Sequence, residues 1–137
     1  MRRLTTIVAA IAAFALPSLS AQAQSIAVPK TSVKFSDLGG GPQLGTLWGD
    51  SSKGPHGSLL YLPAGFVSPV HTHSGAYEAV VISGTVTNAE PGVEEIPLEA
   101  GSYYRQNGQT KHVTKCISHV RCTLYITQST GFDFLTR

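Results

Sequence analysis

The stretch HTHSGAYEAVVISGTV, residues 71–86, decides how this chain reads. Successive side chains of an extended strand point to opposite faces, so His71 and His73 share a face and can reach one ion. Neutral imidazole suits zinc, copper, iron and nickel, and a carboxylate keeps manganese and iron in play. Glu78 is the nearest such carboxylate. Glu78 to Asn88 reads as the longest strand. Along it Glu78, Val80, Ile82 and Val86 would share one face, apolar except for the acid. Ala79, Val81, Ser83, Thr85 and Thr87 would share the other. A carboxylate at the end of a core-facing row needs a partner, because burying it unpaired is costly. A metal ion is such a partner, and His112 on a later stretch offers a third imidazole.

Outward from this segment, apolar runs are short, β-branched and bounded by Gly, Pro and Asn, the pattern of an all-β sandwich or barrel. No stretch reads as a long amphipathic helix. Strands are expected over Val33–Phe35, Thr46–Trp48, Ser58–Leu62, Val70–His73, Glu95–Leu98, Gly101–Gln106, Lys111–Ile117 and Cys122–Gln128, with Phe132–Leu135 as a closing segment. Gly39-Gly40-Gly41-Pro42, Pro63-Ala64-Gly65 and Asn107-Gly108 mark turns. His56 falls in a Gly/Pro loop and His119 in a turn, so both are expected at the surface.

The first residues have the pattern of a secretory signal peptide. Arg2 and Arg3 form a positive start, Leu4 to Leu16 is apolar, and Ala21-Gln22-Ala23 is a small-x-small cleavage site. Residues 1–23 are expected to be removed, leaving 24–137 as one domain, exported to the periplasm or secreted, with no membrane attachment after cleavage. Without Arg2 and Arg3, eight of the ten Lys and Arg remain against eight Asp and Glu. A net charge near zero gives nucleic acid no electrostatic footprint. In an oxidising compartment Cys116 and Cys122 are expected to pair, closing the short turn of a hairpin between Lys111–Ile117 and Cys122–Gln128. Bridging so small a loop contributes roughly 2 kcal/mol. The rival reading makes Cys116 a metal ligand four residues after His112.

These residues resemble the cupin superfamily, small double-stranded β-helix, jelly-roll-like barrels. The first cupin motif runs glycine, five residues, His-x-His, three or four residues, Glu, six residues, Gly. Here Gly65, His71-Thr72-His73 and Glu78 follow it, and Gly84 comes one residue early. Counting back from Gly84 puts Tyr77 in the Glu position. Counting forward from His73 gives Glu78, which is preferred because a carboxylate is a better ligand than a neutral phenol. In the second motif Gly101 opens, Asn107-Gly108 replaces Pro-x-Gly, His112 falls in place, and Cys116 stands where Asn would. The sub-patterns around Tyr77–Val86, Gly101–Tyr104 and Lys111–Cys116 are similar to small exported bacterial cupins of uncharacterised function.

The resemblance implies a metal set of His71, His73, Glu78 and His112 holding a divalent transition metal (Fe, Mn, Ni or Zn). It implies a metal-dependent enzyme, dioxygenase, lyase or isomerase, acting on a small organic molecule, with Glu78 doubling as a catalytic base. The alternative is a non-catalytic metal- or ligand-binding or sensory module. Tyr77, Tyr103, Tyr104 and Arg105 are candidates to line the pocket, with Gln106 beside them. A homodimer through sheet packing also fits. The sequence has no Ser-His-Asp order, phosphate-cradling loop or C-x-x-C pair to support other mechanisms.

Overall fold

The structure, a computed structural model, describes residues 24–136. The expected signal peptide, residues 1–23, lies outside the described residues. Among the described residues eight strands form: β1 Phe35–Asp37, β2 Gln43–Gly49, β3 His56–Leu62, β4 Tyr77–Ser83, β5 Val86–Ala89, β6 Tyr103–Gln106, β7 Val113–Cys116 and β8 Cys122–Gln128. They make a six-stranded antiparallel sheet in the order β1-β2-β3-β8-β4-β6 and a two-stranded sheet β5-β7. Isolated bridges Val67–Lys115, His71–His112, Thr72–Leu135 and Val86–Leu98 extend the smaller sheet. The all-β expectation holds, and the two sheets enclose a core of Leu44, Leu60, Leu62, Val81, Leu124 and Ile126.

Period-two burial builds that core. On β8, Cys122, Leu124, Ile126 and Gln128 are buried while Thr123, Tyr125 and Thr127 lie on the other face. On β4 the inward residues are Tyr77, Ala79 and Val81, and the outward ones are Glu78, Val80 and Ile82. This inverts the expected facing of that strand. The expected single strand Glu78–Asn88 is also two strands in different sheets. Its break is the corner at Gly84, whose φ is +81°. A Cβ there would lie 2.7 Å from Cys122 Sγ and 3.0 Å from Cys122 Cα, so only glycine turns the chain without strain. Pairing of β4 with β8 shifts register between Val81 and Ser83. A one-residue slip moves every side chain to the other face, so Val86, inward on β5, gives no phase for β4.

Two further expectations change. Lys111–Ile117 and Cys122–Gln128 are not a hairpin, because β7 pairs with β5 and β8 lies between β3 and β4. The Cys116–Cys122 disulfide is present, with Cα atoms 5.8 Å apart, and therefore ties one sheet to the other. That removes Cys116 from any metal set. The expected strand Val70–His73 makes only bridges. His71 exchanges both backbone hydrogen bonds with His112, each 3.0 Å, and Thr72 does the same with Leu135, at 2.9 and 3.0 Å.

Candidate metal centre

The His71–His112 bridge aligns two imidazoles across the smaller sheet, and alternation places His73 beside them. All three rings are buried, and each offers one nitrogen within 4.8 Å of the others. Ring centroids of His71 and His112 lie 4.1 Å apart, and those of His71 and His73 4.9 Å. The orientation of each ring is fixed from behind. His71 Nδ1–H donates to the Pro69 carbonyl at 2.9 Å, and His112 Nδ1–H to the Thr110 carbonyl at 2.9 Å. His73 Nδ1–H donates to the Asp133 carbonyl. A carbonyl can only accept, so each ring keeps its proton on Nδ1 and presents a bare Nε2 lone pair. His112 Nε2 is fully buried and has no hydrogen-bond partner.

Burial lowers the proton affinity of all three histidines. His71 is brought down to about 4, and His73 and His112 also fall below the ordinary imidazole value. Three neutral imidazoles with converging lone pairs and one orphaned nitrogen fit a transition-metal ion. The three buried histidines can hold one.

Glu78 is not at this site. It is exposed on the outer face of β4 and pairs with Arg105 on β6 at 3.2 Å, opposite it in register. Arg105 is likewise exposed, and Tyr103 lies out on the same face. These three expected site residues are corrected together, since one parity governs β4 and the strand paired with it. Tyr77 takes the inward position that counting back from Gly84 indicated. Its ring meets His73 edge-on at 5.1 Å, and its hydroxyl is 3.4 Å from that of Tyr104. Burial raises the Tyr77 phenol to about 12, and burial then the neighbouring Tyr77 hold Tyr104 well above the ordinary phenol value, so both keep their protons. Of the tyrosines and Arg105 expected to line the pocket, Tyr77 and Tyr104 therefore face inward.

Gln106 is buried as well and reaches the backbone carbonyl that holds His112. Asn88 Nδ2 donates to Gln106 Oε1 at 2.7 Å, Thr114 Oγ1 donates to Asn88 Oδ1 at 2.7 Å, and Gln106 Nε2 shares the Thr110 carbonyl with His112. His56 is buried, contrary to the surface expectation, because β3 begins at it rather than two residues later. Its Nδ1 meets Ser58 Oγ at 2.8 Å. His119 is exposed as expected.

The C-terminal segment completes the site, and sequence reasoning assigned it no role there. Phe134 stacks on His71 at 4.1 Å and 21°, and Phe132 packs on His73 at 5.2 Å. Asp133 Oδ1 accepts from the Ser74 amide at 2.9 Å. Between this segment and the sheets lies a cavity of about 560 Å³ that reaches His71, His73 and Tyr77.

Over residues 31–134 the sequence matches the family described as a domain of unknown function (DUF4437). The chain belongs to that family, and its barrel has the cupin fold. The fold is similar to an RmlC-like cupin from Shewanella frigidimarina, 20% identical, TM-score 0.64, over 77% of this chain and 91% of that one. It is also similar to the polyketide cyclase RemF from Streptomyces resistomycificus, 12% identical, TM-score 0.69, over 82% and 85%. A predicted oxalate decarboxylase from Thermotoga maritima is 13% identical, TM-score 0.63, over 77% and 99%. At these identities the likeness concerns the fold. No curated protein sequence matches this chain.

Proposed function

We propose that this cupin is a metal-dependent enzyme acting on a small organic molecule, with His71, His73 and His112 holding a divalent transition-metal ion through Nε2. The observation that carries the reading is the shared arrangement of the three rings. All three Nδ1 atoms are committed to backbone carbonyls, and His112 Nε2 is buried without a partner. With the Glu78 carboxylate turned outward, an all-imidazole set favours zinc, with nickel or iron next, over manganese. When bound, the ion supplies Lewis-acid polarisation of a substrate oxygen, chemistry suited to a lyase or isomerase, or to a dioxygenase if the ion is iron. The protein's own groups position and shield. The Tyr77 hydroxyl, kept protonated by burial, can donate a hydrogen bond to a substrate oxygen. Phe132, Phe134 and Ile126 give the cavity an apolar wall. Cupin-fold neighbours that include a polyketide cyclase support enzymatic use of such a barrel, as analogy only.

Elemental analysis tests this. Wild-type protein is expected to carry about one transition-metal ion per chain, and the His71→Ala/His73→Ala double variant almost none. Glu78→Gln is expected to keep the wild-type content, since Glu78 pairs with Arg105 on the outside. Equal metal in wild type and double variant would discard the site, and loss of metal in Glu78→Gln would restore that carboxylate as a ligand.

One observation favours the alternative, a non-catalytic binding or sensory module. Among the described residues lining the cavity, Asp133 is the one carboxylate, and it is tied to the Ser74 amide, which leaves no free acid–base pair. A coordination sphere closed by protein atoms, with no exchangeable water, would favour that module.

Export is the second part of the proposal. The Cys116–Cys122 disulfide supports an oxidising compartment. Mass spectrometry of protein recovered from the periplasm or medium is expected to find Gln24 at the N-terminus. An intact Met1 start in the cytosol would contradict it.

A further inference from the structure

The cavity beside the three histidines has a two-sided chemistry that limits what it can take. Its polar side chains, Ser68, His71, His73, Tyr77, Thr114 and Asp133, form one connected cluster. The remaining wall is apolar, built by Leu60, Leu62, Phe66, Ile126, Phe132 and Phe134. Among the described residues, no lysine or arginine lines it. Its only charged group, Asp133, is an acid already held by the Ser74 amide and 3.9 Å from His73 Nδ1. A volume of about 560 Å³ lies in the range of small-molecule sites, and it accommodates a bicyclic ring system. Phe134 stands at the mouth, 45% exposed, with its ring laid parallel over His71.

Resting on the metal-centre reading above, we infer that the cavity takes a ring-bearing, otherwise apolar molecule with a single hydroxyl or enol oxygen, and that Phe134 helps to select it by stacking. The oxygen turns toward the histidines and the Tyr77 hydroxyl, and the ring lies along the phenylalanines. A second anionic group far from that oxygen would sit against apolar wall with no cation to meet it, which is costly. Phosphates, dicarboxylates and sugar acids are therefore poor occupants. Neutral sugars are also disfavoured, because their many hydroxyls would lose water without gaining partners.

Two probes isolate the distal charge: 2-naphthol, and 6-hydroxy-2-naphthoate, which has the same ring and hydroxyl plus a remote carboxylate. Both are titrated calorimetrically into zinc-loaded and chelated protein, with zinc content measured on the same samples. In zinc-loaded wild type, 2-naphthol is expected to bind at least about tenfold more tightly than 6-hydroxy-2-naphthoate. Phe134→Ala is expected to weaken 2-naphthol by about threefold to tenfold, and Phe134→Leu, which keeps apolar cover but no ring, by a similar factor. Equal or tighter binding of 6-hydroxy-2-naphthoate overturns the inference. So does failure of zinc-bearing protein to bind 2-naphthol, an outcome that leaves the metal centre standing. Protein that holds no zinc yet keeps the preference for 2-naphthol would remove the metal reading and support the ligand class.

Discussion

Ending the chain after Gly131 is expected to weaken zinc binding by about 10- to 100-fold, although it removes none of the three ligands. The reason lies in residues 132–135, which form a strap across the metal centre. Leu135 exchanges both backbone hydrogen bonds with Thr72, and the Phe132 amide donates to the Ser51 carbonyl at 2.8 Å. So fastened, the strap presents the Asp133 carbonyl to His73 Nδ1–H. Without that acceptor the proton of His73 is no longer fixed on Nδ1, and the ring turns freely. The loss of Phe132 and Phe134 also uncovers the faces of His73 and His71.

Competition against a chelating dye near neutral pH measures the effect, with melts alongside to show that the shortened protein is folded. Asp133→Ala separates backbone from side chain. It keeps the carbonyl that accepts from His73 and loses the Ser74 contact and a carboxylate 3.9 Å from His73 Nδ1, beyond hydrogen-bond distance, so its zinc affinity is expected to stay within about threefold of wild type. Unchanged affinity in a folded protein ending at Gly131 would mean that the strap does not orient the ring.

The strap also shows why part of the site was not legible in the sequence. His71 and His73 were, because alternation is local and both side chains carry the chemistry themselves. His112 was placed by motif spacing, and the two cysteines by compartment. Asp133 contributes through its backbone carbonyl, which every residue type possesses, and it meets His73 from sixty residues away. No pattern of side chains announces such a contact. Glu78 failed as a ligand for a different reason, and its neighbour Tyr77 faces the cavity. They are adjacent, so the whole assignment turned on the phase of one strand, and Val86, beyond the Gly84 corner, was used to set it. The glycine that broke the phase was visible, and counting back from it would have given Tyr77. The chemical preference for a carboxylate ligand overrode that geometric signal. His56 followed the same logic on a smaller scale: a loop-like neighbourhood of Gly and Pro hid a strand that begins at the histidine.

Metal-free protein is expected to lose stability steeply as pH falls from about 6.5 toward 4, and to unfold near the bottom of that window. Burial brings His71 down to about 4 and lowers His73, His112 and His56 as well. In the unfolded chain these histidines take up protons near 6.5. Between the two values the unfolded state therefore binds more protons than the fold does. Their contribution is fully present above 6.5 and is lost progressively as pH falls toward the folded values. For His71 alone that loss amounts to about 3 kcal/mol, a large part of the roughly 5–15 kcal/mol that holds a typical domain folded. The carboxylates with lowered values act further down. Asp50 is brought to about 2 by the Ser52 hydroxyl and amide, and Glu95 is held low by Lys115 and the Thr87 hydroxyl. A decline already under way between 6.5 and 4.5 thus belongs to the buried imidazoles. Urea melts of chelated protein at several pH values across this range measure it, and a flat stability curve there would show that the rings do not resist protonation. Zinc added to the same samples is expected to move the decline to lower pH, because an ion on Nε2 must leave before the protons can enter. That shift should be absent in the His71→Ala/His73→Ala variant, which joins the acid response of the fold to the occupancy of its metal centre.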